Sequence, residues 1–199
     1  MQIAVICNEA QKAELLSDGM EESAVSWLTD ISGLSATDVV IDLQFQNTPD
    51  RIEALQKAAF VIVNSVAETT AETDPSFVRI NGWNGFLKNN IIEAAGNEAA
   101  KEAAVEALSR LNKNAEWLPD EPGFVTPRVI SMIINEAYHA LSEGVSTKEE
   151  IDTAMKLGTA YPYGPFEWGE KIGLQNVADL LNTLAMKQER YKPSALLLQ

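Results

Sequence analysis

The chain has 199 residues, 46% hydrophobic and 22% charged, which is enough to bury a core in one good-sized domain or two small ones. Fifteen basic against 29 acidic residues leave a formal charge of −14, and no basic run interrupts it. This excludes a general nucleic-acid or anionic-membrane surface, because phosphate binding needs a cationic patch.

A single cysteine, Cys7, excludes an internal disulfide framework and fits a reducing cytoplasm. One cysteine and one histidine, His139, also leave nothing with the spacing of a metal-ligand cluster. His139 stands mid-helix beside Tyr138 and is expected to be structural. The opening Met1-Gln2-Ile3-Ala4-Val5-Ile6 lacks the basic flank and long apolar core of a signal peptide. No segment approaches the roughly 18 apolar residues of a membrane span. The expectation is a soluble, cytoplasmic protein.

Short apolar runs predict buried strands at Ile3 to Ile6, Val25 to Leu28, Val39 to Ile41, Phe60 to Val63, Phe77 to Ile80 and Ile91 to Ile92. Helices are predicted between them at Ala10 to Leu16, Pro49 to Ala58 and Asn97 to Leu111, the last with Ala99, Ala103, Ala107 and Leu111 on one face. Such alternation implies an α/β layer with a largely parallel sheet. From Gly123 onward the pattern becomes all helical, with a domain boundary near Asp120-Glu121-Pro122-Gly123 and domains of residues 1–120 and 121–199. Thr126 is expected to cap a helix with Pro127 at its first position, and Val129, Met132, Ile133, Ala137 and Leu141 to form its apolar stripe. Gly144 is a natural stop. Ser146-Thr147-Lys148-Glu149 has the spacing of a capping box opening a helix to Gly158, and more helix is expected from Phe166 to about Lys187.

Pro122-Gly123-Phe124, Asp152 with Met155 and Gly158, Tyr161-Pro162, Gly164-Pro165-Phe166-Glu167 and the ending Arg190-Tyr191-Lys192-Pro193-Ser194 occur in the order and spacing of a known family. This half resembles the helical domain of 3-hydroxyacyl-CoA dehydrogenases, most nearly the 3-hydroxybutyryl-CoA branch. The resemblance implies a reduced Rossmann-like domain followed by a helical domain that dimerises and closes over an acyl-CoA. It therefore implies a homodimer through the helical half, an acyl-CoA-like ligand and NAD as cofactor.

The residues of the first half depart from what that chemistry needs. A dinucleotide fold places glycines after its first strand so that the pyrophosphate can approach backbone N–H groups. Cys7, Glu9 and Lys12 stand at those positions. Glu9 puts a carboxylate where diphosphate charge would lie, and even in bulk water two like charges at 4 Å repel by about 1 kcal/mol. Asp30, 18 residues beyond Lys12, is placed to hydrogen-bond an adenine ribose, although an Asp closing a strand is also a common turn residue.

Aligned with the family, Asn81 occupies the position of its catalytic His, and an amide cannot take a proton near neutral pH. The partner acid is retained as Glu93, whose bland alternative is a partly buried acid held by a neighbour. Pro127, which has no donor, replaces the Asn that polarises the substrate oxygen; its neighbour Arg128 matches. Val66 replaces the hydroxyl-bearing residue, with Ser65 beside it. The expectation is a non-catalytic or strongly impaired homologue, serving as a binding or partner scaffold, with no cofactor. The alternatives are an active NAD-dependent 3-hydroxyacyl-CoA oxidoreductase of fatty acid metabolism, with NAD bound, or different chemistry built on Glu93.

Overall fold

The computed structural model describes residues 1–17, 19–35 and 37–199. They form two compact units, Met1–Phe124 and Val125–Gln199.

Among the described residues the first unit has seven strands: β1 (Ile3–Ile6), β2 (Ser26–Leu28), β3 (Val39–Asp42), β4 (Phe60–Asn64), β5 (Val78–Ile80), β6 (Ile91–Ala95) and β7 (Asn114–Trp117). Their order across the sheet is β2-β1-β3-β4-β5-β6-β7. All pairs are parallel except β5 with β6. The central strands carry Val5, Ile6, Val40, Ile41, Ile62 and Val63, all fully buried. Continuous apolar runs are what a sheet covered on both faces requires. Helices α1 (Glu9–Leu16) and α3 (Lys101–Ser109) bring Leu15, Ala104 and Leu108 to the face of Val5 and Ile41. Helix α2 (Pro49–Leu55) brings Leu55 to the face of Ile6 and Val40.

The mixed α/β layer agrees with the sequence, with two corrections. Strand β7 was not expected, because Asn114-Ala115-Glu116-Trp117 is a half-exposed edge without an apolar run. The buried face of α3 carries Ala100, Ala104, Ala107, Leu108 and Leu111, while Ala99 is exposed and Ala103 half-buried. Strict four-residue spacing drifts off a helix of 3.6 residues per turn, so Ala99 and Ala103 fall beside the buried face.

The second unit contains α4 (Thr126–Ser142), α5 (Lys148–Thr159), α6 (Pro165–Ile172) and α7 (Leu174–Ala185). Thr126 is already helical, and no side chain caps α4. Its core face is Ile130, Ser131, Ile134, Asn135, Ala137 and Tyr138, whereas Val129 is 52% exposed and Met132, Ile133 and Leu141 are half-buried. Of the expected stripe only Ala137 lies on the core face, and the rest form a second apolar face; α4 has hydrophobic residues on both sides, and periodicity alone does not rank them. Thr147, rather than Ser146, makes the capping box of α5 with Glu150. Gly173, at φ 92°, breaks the helix expected from Phe166 to Lys187 into α6 and α7. No helix among the described residues is long and apolar enough to cross a membrane.

Candidate functional site

Parallel α/β sheets bind ligands in the crevice beyond the carboxyl ends of the strands, where the order of connection reverses. Here that point lies at β1, whose neighbours are β2 on one side and β3 on the other. Its end is fixed on both sides, with Cys7 N donating to Leu28 O at 3.0 Å and Leu43 N to Ile6 O at 2.9 Å.

Helix α1 follows β1, and its first turn would present the N–H groups that hold a diphosphate. Asn8 Oδ1 already accepts from Gln11 N at 2.9 Å, and Asn8 N donates to Gln11 Oε1 at 3.1 Å, a complete capping box. Glu9 stands exposed in this first turn. Lys12 turns aside, pairing with Glu22 at 2.5 Å and lying 5.2 Å from the centre of the Trp27 ring. Cys7 is buried, and desolvation pushes its thiol up to about 11, against the pull of Lys12, so it stays protonated at neutral pH.

Across the crevice, Gln11 Nε2 donates to Leu43 O at 3.0 Å and to Gly82 O at 3.4 Å. Gln44 Nε2 donates to Gln11 Oε1 at 2.6 Å, and Asn64 Nδ2 to Leu43 O at 3.2 Å. Gly82 N donates to Asn64 Oδ1 at 2.9 Å, and Gly85 N to the Glu14 carboxylate at 2.7 Å. Gln11 and Glu14 of α1 therefore hold the segments that follow β3 and β5, and Asn64 at the end of β4 ties those two segments together. One first-turn donor that a diphosphate would use is already taken by Asn8, and Glu9 sets a carboxylate in the same turn.

Asn81 and Glu93 are brought together at the β5–β6 pair. Asn81 is 3% exposed, its Nδ2 donates to Glu93 Oε2 at 3.1 Å, and its N donates to Glu93 O at 3.0 Å. An amide donates to the acid, and neither nitrogen nor oxygen of Asn81 accepts a proton at neutral pH. Val66 is buried without a hydroxyl, and Ser65 Oγ donates to Glu68 O at 3.2 Å. Pro127 lies in the second unit at the start of α4, in its first turn.

Asp30 is exposed and caps a short 3-10 turn, Ile31–Gly33, accepting from Ser32 N at 2.7 Å and from the Ser32 hydroxyl. These bonds hold its carboxyl below the usual carboxylate range. The turn residue is what the geometry displays. Gln11, Gln44, Asn64 and Glu14 were not singled out from the sequence, although Asn8-x-x-Gln11 directly after a strand is a visible capping signal.

The second unit's motif residues also find their partners. Asp152, on α5, accepts from Phe166 N at 2.8 Å and Glu167 N at 3.3 Å at the start of α6. Glu167 accepts from Gly164 N at 2.9 Å and pairs with Lys156 Nζ at 2.5 Å. Residues 123–199 match the model of the 3-hydroxyacyl-CoA dehydrogenase C-terminal domain.

This chain resembles the 3-hydroxyacyl-CoA dehydrogenases.

It is 42% identical over 108 residues to the 3-hydroxyadipyl-CoA dehydrogenase of Escherichia coli (strain K12), an alignment covering 53% of this chain and 23% of that protein. It is 28% identical over 195 residues to a 3-hydroxybutyryl-CoA dehydrogenase of Clostridioides difficile, covering 88% of this chain and 66% of that protein. The chain thus spans less than two thirds of the length of either. In three dimensions it resembles (S)-3-hydroxybutyryl-CoA dehydrogenase from Ralstonia eutropha, with TM-score 0.73 and 19% identity, covering 99% of this chain and 92% of that one. At that identity the likeness concerns the fold.

Proposed function

We propose that this protein is a 3-hydroxyacyl-CoA dehydrogenase homologue without hydride-transfer activity, acting as a binding or partner scaffold in the cytoplasm. The observation that carries this is Asn81, seated on Glu93 at 3.1 Å where the family resemblance puts a base. Loss of a general base slows a reaction by about 10²- to 10⁴-fold. Without a base, Glu93 serves as an acceptor that holds the end of β5. An acyl-CoA-like ligand is the class the scaffold would take, in keeping with the CoA thioesters named for its relatives.

The test is calorimetric titration of NADH into the purified protein. No binding up to millimolar NADH is expected. A micromolar dissociation constant would overturn the reading and return the NAD-dependent oxidoreductase to the lead.

The scaffold works as a homodimer through the second unit. Supporting this, α4 and the residue before it keep apolar side chains outside their own core, with Val125 56% and Val129 52% exposed. Light scattering at micromolar concentration should give twice the chain mass, and Val129→Glu should halve it. A monomeric wild-type protein ends this proposal.

A further inference from the structure

We propose that the hollow at the amino ends of β1 and β2 is a binding site for a small uncharged polyol, a molecule that brings several hydroxyl groups and no charge. It lies at the opposite end of these strands from the crevice described above, so it does not rest on the scaffold reading. The hollow holds about 340 Å³ and is lined in part by Ala4, Ser23, Ser26, Gly33, Ser35 and Thr37. That volume falls in the roughly 300–1,000 Å³ range of small-molecule sites.

Local sequence makes the space. Ala4 and Ser26 are partners in register, and the next pair on the same side of the sheet is Ile6 with Leu28. Two small side chains leave open what two large ones close. A parallel crossover usually runs through a helix that covers the sheet. Residues 29–38 join β2 to β3 with a 3-10 turn at Ile31–Gly33 as their one helical element among the described residues. The wall is fixed before any ligand arrives. Thr37 Oγ1 donates to Gln2 O at 2.8 Å, Val39 N to the same oxygen at 3.1 Å, and Gln2 N to Asp38 Oδ2 at 2.8 Å.

The lining selects the ligand. No lining residue has a charged side chain, and the Met1 amino group already stands 3.9 Å from Asp38. An ion of either sign would lose water there without gaining a counter-charge, which is costly. The hydroxyls of Ser23, Ser26 and Ser35 have no protein partner among the described residues. A serine hydroxyl both donates and accepts hydrogen bonds, as each hydroxyl of a polyol does.

Sorbitol is the probe, and gluconate, with a carboxylate in place of one terminal hydroxymethyl group, is its charged counterpart. Polyols stabilise proteins generally by exclusion from their surfaces, so melting temperature is a poor readout. The amide proton–nitrogen NMR spectrum of the full chain reports the place of binding instead. Sorbitol should shift the amides of Ser26, Gly33 and Ser35 along a saturating curve in the millimolar range, and gluconate should not. Ser26→Val, a β-branched residue suited to a strand, fills the hollow and should abolish those shifts while keeping the rest of the spectrum. Ser35→Ala keeps the hollow open and should weaken binding severalfold. Shifts that grow linearly without saturating overturn the site, as do equal saturation by gluconate and unchanged binding in both variants. If Ser26→Val does not fold, an unchanged curve in Ser35→Ala overturns it alone.

Discussion

Arg79→Met is expected to unfold the first unit more readily than any conservative change elsewhere in it. Arg79, on β5, is fully buried. Its guanidinium pairs with Asp120, donates from Nη1 to Ser65 O at 3.2 Å and from Nη2 to Glu121 O at 2.5 Å, and lies 4.1 Å from the centre of the Phe124 ring. Asp120 in turn accepts from Thr70 N at 3.0 Å and Thr70 Oγ1 at 2.6 Å. One cation thus ties the loop after β4 to the segment that leads out of the unit. Methionine fills the volume and removes every donor. The Ser65 and Glu121 carbonyls then lose a donor, while Asp120, 28% exposed, keeps its Thr70 bonds; each buried acceptor left unsatisfied costs about 1–3 kcal/mol.

Acid should narrow the difference between Arg79→Met and wild type. Burial pushes the Asp120 carboxyl up, but the bonds from Thr70 and Arg79 outweigh it and hold it below its ordinary 3.8. A carboxyl depressed in the folded state stabilises above its unfolded value, and that contribution is lost as pH falls through the folded one. The variant lacks the Arg79 part, so it loses less below the ordinary carboxylate range. Urea denaturation at pH 7 and below about pH 3 measures both effects. Equal midpoints for variant and wild type at pH 7 would refute the role given to Arg79.

Arg79 also shows where sequence reasoning stops. A charged residue between Val78 and Ile80 reads as an interruption of an apolar run, and its partner lies 41 residues away. Only the fold brings Asp120 to it. The strands with continuous apolar runs were legible because burial on both faces leaves that pattern. Strand β7 was not, because an edge strand needs none. In α4 the period was legible and the choice of face was not, since Val129 and Ile130 are both apolar while only Ile130 is buried.

The candidate site divides the same way. Asn81 and Glu93 were paired from the sequence by the family resemblance, and the structure sets them 3.1 Å apart. What the sequence predicted as a loss in the nucleotide crevice, three glycines replaced by Cys7, Glu9 and Lys12, is also a gain. Gln11, one residue before Lys12, makes four hydrogen bonds whose partners come from residues 8, 43, 44 and 82. An absent glycine is visible locally. A side chain that bridges distant strand ends is not.

Gly164→Ala is the second large effect, and it concerns the motif by which the second unit is recognised. The φ of Gly164 is −72°, open to any residue, so any penalty must be steric. A Cβ there would lie 2.3 Å from Asp152 Cγ and Oδ1 and 2.4 Å from Asp152 Cβ. The whole Asp152 side chain would have to move, because rotation about one bond cannot clear its Cβ. Overpacking of this kind costs about 1–3 kcal/mol. Moving Asp152 also releases its bonds from Phe166 N and Glu167 N, which satisfy two of the orphan donors at the start of α6. Loss of such a cap adds about 1 kcal/mol. For a domain of this size each 1 kcal/mol lowers the melting temperature by about 4–8 °C. The double variant Asp152→Gly/Gly164→Ala removes the clash, Cβ included, along with the cap, so its loss should be smaller than the sum of the two single losses. Additive losses, or a Gly164→Ala protein as stable as wild type, would show that Gly164 is not there to admit Asp152. The expected non-additivity would explain why Asp152 and Gly164-Pro165-Phe166-Glu167 stand together: the glycine lets the acid reach the helix that the proline and glutamate begin.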